Sequence, residues 1–318
     1  MAFGLEMGDR TVGEAVRRIA VERIDGAIDA IDDPEVTPEK AVHTVRKRCK
    51  ELRALVRLVA PAFGDAKAEN RAFRDIARSL SGHRDAQVMS ASFEALVAGR
   101  VETLDAAAVD AVRTALREEA APAEGDDTGE ALREAREALA AARLRALAWS
   151  LDAKGWNALG EGLEGTYRDA RRGMRKALAS EDGHRMHEWR KDAKSHANQL
   201  DLVAPVWPRV LKRVVKEAES LGEDLGDHHD LEVLSDWLER HCERLGGHDA
   251  VAPLIALCRV RQAELARSAR SAGERLFAEK PQAFGRRMRG LWSAWRRERS
   301  AAEVPAPPAA APAETMAG

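Results

Sequence analysis

The feature that most constrains the fold is a motif that occurs twice. The pattern H-x-x-R-K-x-x-K begins at His43 and again at His187, an offset of 144 residues. A second pair of segments, LSGHRDAQVM from residue 80 and LGDHHDLEVL from residue 225, matches at an offset of 145. Two separate matches at nearly equal offsets predict an internal duplication, in which each half of the chain forms a helical bundle.

Helical periodicity extends over almost the whole chain. Ala, Leu, Arg and Glu dominate the composition, and these residues favour helices over strands. Thr11 followed by Glu14 is typical of a capping box, and Thr37 followed by Pro38 is typical of a helix start. The sequence therefore predicts an all-α fold. The expected helices cover residues 11–31, 38–61, 65–81, 84–98, 104–120, 131–149, 155–179, 184–204, 206–222, 229–243, 250–279 and 281–299.

The bulk properties exclude several classes of protein. A net charge of −2 excludes a protein that is basic overall, but it allows a basic site that is balanced by acid elsewhere. The three cysteines form no CxxC pair, so neither a disulfide framework nor a zinc cluster is predicted. The sequence contains no signal-peptide pattern and no apolar run of ~18 residues, so we expect a cytoplasmic protein without membrane association. The Ala/Pro-rich residues 301–318 predict a disordered tail.

The first motif copy places its cations on one side of a helix. At about 100° per residue, six side chains share an arc of roughly 120°. These six are His43, Arg46, Lys47, Lys50, Arg53 and Arg57. The opposite arc is apolar and consists of Val45, Cys49, Leu52, Leu55, Val56 and Val59. We therefore expect that reversing the charge of these cations leaves the fold almost intact, with the exposed Arg48 as a control position.

Two further cationic rows repeat this geometry. The second motif copy contributes His187, Arg190, Lys191 and Lys194, and a preceding row with the spacing i, i+3, i+4, i+7 contributes Arg168, Arg171, Arg172 and Arg175. Ala197 and Asp201 shorten the second row. His196 falls on its apolar side, where we expect a hydrogen-bonded core histidine. A row about 20 Å long suits an extended, repeating anion better than a small metabolite.

These features together resemble the CHAD family, the conserved histidine α-helical domains. The resemblance is carried by the doubled motif, the opening TVGEAVRRIAVERIDGAI, the LSGHRDAQVM and LGDHHDLEVL pair, the basic TYRDARRGMRKAL and the late LFAEKPQAFGRRMRGLW, and it covers residues 8–299. It implies two pseudo-symmetric four-helix-type bundles, at about 8–150 and 151–299, around a basic central cavity. It also implies non-catalytic binding of inorganic polyphosphate.

The resemblance also implies which residues bind the anion. Carried onto this sequence, the family's positions fall on His43, Arg46, Lys47, Lys50, Arg53, His187, Arg190, Lys191 and Lys194, and further on Arg168, Arg171, Arg172, Arg175, Lys280 and Arg287. Polyphosphate granules are then an expected place of association within the cytoplasm. We expect no catalytic residue, no metal ligand and no cofactor.

Two other functions compete with this interpretation. His187 followed by His229 and Asp230 imitates the ligand order of HD-type metal-dependent phosphohydrolases. In the first half, however, Arg84 stands in the place of His229, and we expect Asp85 and Asp230 to cap helix starts or to hold a cation of the neighbouring helix instead. The other alternative is a protein that binds nucleic acid, or acts as a scaffold, by charge alone. No nucleic-acid motif is present, and the tryptophans fall at core-like positions.

Overall fold

The computed structural model describes residues 3–80, 84–99, 104–120, 128–180 and 183–302, and within these ranges the chain is helical with no strand. The predicted all-α fold is confirmed. The helices are α1 Val12–Asp32, α2 Pro38–Val59, α3 Ala66–Ser79, α4 Arg84–Val97, α5 Ala106–Ala120, α6 Thr128–Leu147, α7 Gly160–Leu178, α8 Gly183–Val203, α9 Pro208–Arg240, α10 His248–Leu276 and α11 Pro281–Ala302. Short 3-10 turns lie at Ala60–Ala62, Gly155–Ala158, Ala204–Val206 and Cys242–Leu245.

The predicted start signals of α1 and α2 are confirmed. The Thr11 hydroxyl accepts a hydrogen bond from the backbone N–H of Glu14 at 3.1 Å, and the Glu14 carboxylate accepts one from the backbone N–H of Arg10 at 3.1 Å. This pair is a variant of the capping box, because Glu14 accepts from the N–H of the residue before the cap and not from that of Thr11. Thr37 caps α2, and Pro38 occupies its first position, where no backbone donor is needed.

One hydrophobic core joins helices from both halves of the chain. α2 packs against α1, α3 and α6 as well as against α7 and α8. Leu52 and Leu55 of α2 share this core with Tyr167 of α7 and Trp189 of α8, and all four are almost fully buried. The predicted apolar stripe of α2 is confirmed, since its members Val45, Cys49, Leu52, Leu55, Val56 and Val59 are all buried.

α4 packs against α9 and α10, and α5 packs against α4 and the turn Cys242–Leu245. Phe93 and Leu116 form a second core there with Leu234 and Leu254. The reason is the length of α9, which has 33 residues against 21 in α8. At about 1.5 Å per residue its far half extends beyond α8, and the apolar surface there is covered by α4, α5 and α10. The packing therefore does not divide at residue 150 as the expected bundles 8–150 and 151–299 require.

The structure corrects the expected break between residues 222 and 229, because residues 208–240 form one helix. Gly222 and Gly226 do not interrupt it, since no proline removes a backbone donor there and the buried Leu221 and Leu225 continue the apolar stripe. Asp230 consequently lies inside α9, and its expected role as a helix cap is wrong. Asp85 is the second residue of α4.

Two sequence predictions fall partly outside the described residues. Positions 81–83 of the LSGHRDAQVM segment lie outside the described residues, as does the rest of the predicted tail beyond Ala302. None of the helices in the described ranges combines the length and the apolar run that a membrane crossing requires.

Candidate polyanion-binding site

The first motif copy presents its cations on one side of α2. His43, Lys47 and Lys50 are exposed on this side, and Arg57 is exposed further along the helix. Lys47 forms no ion pair with any residue in the described ranges. Because the opposite side of α2 is buried in the core, these side chains are directed away from it.

Arg46 and Arg53 of the same row are half buried and are held by α3. Arg46 Nη1 donates to the carbonyl oxygens of Leu80 at 3.1 Å and Ala77 at 3.4 Å, which lie at the end of α3. Arg53 Nε donates to Asn70 Oδ1 at 3.2 Å, and burial lowers the pKa of Arg53, with Arg57 adding to this effect. The expectation that all these cations are dispensable for folding is therefore wrong for Arg46, whose guanidinium satisfies carbonyl groups at a helix end.

Arg48, the expected control position, is also not a freely exposed cation. Its Nη1 donates to Glu51 Oε2 at 2.9 Å, and Glu51 is itself close to the buried Arg23 of α1 at 3.6 Å. The Arg48 guanidinium also lies next to Gly26 of α1. A charge reversal there would disturb the contact between α1 and α2, so Arg48 cannot serve as a control.

The second motif copy lies across two glycines of α9. A Cβ added at Gly222 would be 3.0 Å from Lys194 Cγ, and one added at Gly226 would be 3.4 Å from Arg190 Nε. The two glycines thus let the side chains of Arg190 and Lys194 lie against the α9 backbone, with the Lys194 ammonium group beside Gly226. The sequence analysis missed this role, although the four-residue spacing of the two glycines puts them on one side of α9.

Acidic residues of α9 surround Lys194, which the sequence analysis also did not foresee. Burial and the neighbouring Arg190 lower the pKa of Lys194, whereas Asp230, Glu223 and Asp227 act in the opposite direction. Nearby carboxylates therefore offset the positive charge of the second cationic row more than that of the first. Lys191 of this row is exposed and pairs with Glu188 on the surface, at 2.7 Å.

His187 stacks against His229 of α9, with the ring centroids 4.0 Å apart. His187 Nδ1 is enclosed without a hydrogen-bond partner among the described residues, and His229 Nδ1 lies 3.4 Å from Glu232 Oε2. Burial, then His229 and Lys191, lower the pKa of His187 to about 4. The HD-type ligand order would place His187 beside His229, and the structure does bring these two histidines together. In the part of the chain that the structure describes, however, no three His, Cys, Asp or Glu residues are grouped to hold a metal ion.

His196 is a core histidine, as predicted. Its Nδ1 lies 3.2 Å from Thr166 Oγ1, and its ring packs edge-on against Tyr167 at 5.4 Å. Complete burial lowers the pKa of His196 to about 3, so the ring is neutral.

α2, α7 and α8 meet at one junction. The fully buried Gln199 amide of α8 contacts Thr166 of α7 at 2.8 Å and the backbone nitrogen of Leu58 in α2 at 3.1 Å. Near this junction lies the carboxyl of Asp192 in α8. Burial raises its pKa, and Arg57 of α2 and Arg172 of α7 both act in the opposite direction. The outer end of the first cationic row therefore lies beside the other two rows.

Three of the four arginines in the row on α7 already bind other groups of the protein. Arg168 pairs with Glu164 and Arg172 pairs with Asp169, each at 2.8 Å. Arg171 Nε donates to the carbonyl oxygen of Phe277 at the end of α10, at 2.9 Å. Arg175 is exposed and has no ion pair within the described ranges.

Lys280 and Arg287 lie at the turn between α10 and α11. Lys280 is exposed, whereas Arg287 pairs with Glu279 at 2.8 Å and lies over the Phe284 ring at 5.5 Å. The Glu279 carbonyl accepts a hydrogen bond from the Tyr167 hydroxyl at 3.1 Å. These two cations thus group with Arg171 of α7 and not with the motif copy on α2.

A comparison with family models now decides the family. Residues 21–239, more than half of the chain, match the model of the CHAD domain. The chain belongs to the CHAD family. The resemblance seen in the sequence is confirmed, and no curated protein and no solved structure matches the chain. The CHAD match includes α2, α7 and α8 with both motif copies, whereas Lys280 and Arg287 lie beyond it.

The histidine pair of this CHAD protein predicts a dependence of stability on pH. The pKa of His187 in the folded protein is about 4, below the ordinary value of 6.5, so the unfolded chain binds more protons between these values. The contribution of His187 to stability is therefore present above pH 6.5 and is lost as the pH falls towards 4. We expect the melting temperature of His187→Gln to fall less steeply than that of the wild type as the pH is lowered from 6.5 to 4. Equal slopes for the two proteins would contradict the depressed pKa.

Proposed function

We propose that this CHAD protein binds inorganic polyphosphate without transforming it, through the cationic sides of α2 and α8 together with the row on α7. The observation that carries the proposal is the junction of these three helices. Gln199 of α8 contacts both α7 and α2. Arg57 of α2 and Arg172 of α7 both oppose the rise that burial causes in the pKa of Asp192 in α8. One extended anion can therefore contact both motif copies.

The chemistry of the exposed side chains favours a phosphate chain as the ligand. Lys47 and Lys191 occupy equivalent positions of the two motif copies, and both ammonium groups are exposed. Arginine forks bind phosphate oxygens in pairs, lysine adds point charge, and a polyanion relieves the repulsion between neighbouring cations. A phosphate near His187 would raise its pKa and favour the protonated, donating ring.

The proposal includes a pseudo-symmetric arrangement of the two motif copies around a basic central cavity. Both motif helices run directly into 3-10 turns, Ala60–Ala62 and Ala204–Val206, which are 144 residues apart like the motifs themselves. This correspondence supports a duplication of the motif helix and its turn. We place the protein in the cytoplasm, with polyphosphate granules as its site of association.

A metal-dependent phosphohydrolase is the second candidate function. It is favoured by the contact between His187 and His229, which the HD-type ligand order requires. Against it, Arg84 stands where the first half would need the equivalent of His229, and arginine does not bind metal ions.

One titration separates the two candidates. Long-chain polyphosphate is added to the purified protein at near-physiological salt in the presence of Mg²⁺, Mn²⁺ or Fe²⁺, and both binding and released phosphate are measured. We expect binding that weakens as salt rises, because counterions are released, and no release of phosphate. Metal-dependent release that is abolished by His229→Ala would establish the hydrolase instead.

A further inference from the structure

A surface groove lies between the start of α1, the connection from α6 to α7, and α11. Its volume is about 450 Å³, which is within the range of small-molecule sites. Four of the side chains that line it are cationic, and none of the lining side chains is acidic. The cations are Arg10, Arg17, Lys154 and Arg296.

This charge distribution differs from the rest of the surface. The chain carries 53 acidic and 51 basic residues, so cations and carboxylates would be mixed in an average groove. Three other grooves of similar size each contain carboxylates, which are Glu161 and Glu164 in one, Glu232 in the second, and Asp75 and Glu134 in the third. The groove at α1 departs from this pattern. Its Arg10 pairs with Glu14, a residue outside the lining, at 3.7 Å, but the other three cations leave a positive charge that favours an anionic ligand.

The cations of the groove are partly fixed in place and partly available. Arg17 Nη1 donates to the carbonyl oxygen of Trp149 at 2.9 Å, which holds its guanidinium at the wall. Lys154 and Arg296 form no ion pair with residues of the described ranges. The start of α1 is already capped by Thr11 and Glu14, so the attraction for an anion comes from the side chains and not from the helix end.

The groove shares no lining residue with the three cationic rows described above. α1 and α2 form a helical hairpin, so the start of α1 lies beside the end of α2, and Asp152 N–H donates to the Ala62 carbonyl at this same end. Arg57 is near this end of α2, whereas His43 lies near the opposite end, about 24 Å away along the helix axis. Separate substitutions can therefore alter the groove and the motif lysines.

We propose that the groove lined by Arg10, Arg17, Lys154 and Arg296 is a second anion-binding site that takes phosphate oxyanions. The guanidinium groups can bind phosphate oxygens in pairs, and Lys154 adds a mobile point charge at the rim. The occupant is either free phosphate or a segment of a phosphate chain. The proposal does not depend on the function proposed for α2 and α8.

Calorimetric titration of the full chain with inorganic orthophosphate and with tripolyphosphate tests this site. The titrations use a protein that carries Lys47→Glu and Lys191→Glu, so that the site on α2 and α8 is impaired. We expect tripolyphosphate still to bind, and the further changes Lys154→Gln and Arg296→Gln to weaken that binding by about a hundredfold, or about tenfold per charge-assisted contact. The matched control is Arg297→Gln, an exposed position next to Arg296 that does not line the groove.

Each outcome decides the proposal. Loss of binding with the Lys154 and Arg296 changes, but not with Arg297→Gln, supports the site, and binding of orthophosphate as well would identify free phosphate as a sufficient occupant. An equal effect of Arg297→Gln, no effect of the paired changes, or no tripolyphosphate binding at all would overturn it. Thermal melts check that each variant is folded, and loss of surface charge repulsion should leave the melting temperature unchanged or slightly raised.

Discussion

Reversing Lys47 and Lys191 together to glutamate should weaken polyphosphate binding by about a hundredfold or more and leave the fold intact. Each lost charge-assisted contact with phosphate is worth about 1.5–3 kcal/mol, and about 1.4 kcal/mol corresponds to a tenfold change in affinity. Both ammonium groups are exposed, and among the described residues the two changes break one ion pair, between Lys191 and Glu188, which is a surface pair of small stability. Polyphosphate titrations and thermal melts measure the two effects.

The single variants show whether the two motif copies form one site. If one phosphate chain contacts both copies, Lys47→Glu and Lys191→Glu should each lower the affinity by about tenfold without changing the stoichiometry. If the copies bind independently, each single change should remove half of the binding capacity and leave the remaining affinity unchanged. Arg297→Glu is the matched control, since this exposed cation of α11 lies at the end of the molecule where Arg299 contacts Asp9.

Replacing Gly162 by alanine should destabilise the protein by about 1–3 kcal/mol, the usual cost of overpacking a core. Gly162 is buried where α7 crosses α2, and an added Cβ would lie much closer to the Leu58 carbonyl oxygen than van der Waals contact allows. The backbone of one helix must move to accommodate it. Because this crossing holds α7 beside the cationic side of α2, we also expect weaker polyphosphate binding.

Gly165, one turn later in α7, provides the control for Gly162. A Cβ added there meets no atom within 4 Å. Gly165→Ala should therefore stabilise the protein by about 0.5–1 kcal/mol, since alanine favours a helix more than glycine does. Chemical denaturation measures both variants. Similar unfolding free energies for the two alanine variants would contradict the close packing of α7 on α2.

The sequence predicted most helices because their signals are local. The capping residues Thr11 and Thr37 fix the starts of α1 and α2, and the apolar stripe from Val45 to Val59 determines which side of α2 is buried. The same periodicity predicted that His196 belongs to the core. These features need no knowledge of the neighbouring helices.

The features that the sequence did not predict depend on partners from distant parts of the chain. Arg46 lies on the same side of α2 as the other cations of its row, and its structural role comes from its hydrogen bond to the end of α3. The expected break after residue 222 divided α9 in two, because the contact of Gly222 and Gly226 with Arg190 and Lys194 is not visible in the sequence. The packing of α4 and α5 beside α9 likewise follows from the full length of α9, which that break concealed.

The central claim, a site selective for a phosphate chain, is tested most directly by a competition measurement. Labelled long-chain polyphosphate is bound to the protein at near-physiological salt and displaced by unlabelled polyphosphate, by orthophosphate or by DNA of equal total charge. We expect unlabelled polyphosphate to displace the label at far lower concentration than DNA or orthophosphate, because the cations are arranged for closely spaced phosphate oxygens. Displacement by DNA at the same concentration as by polyphosphate would show that the protein responds only to charge, and would contradict the claim.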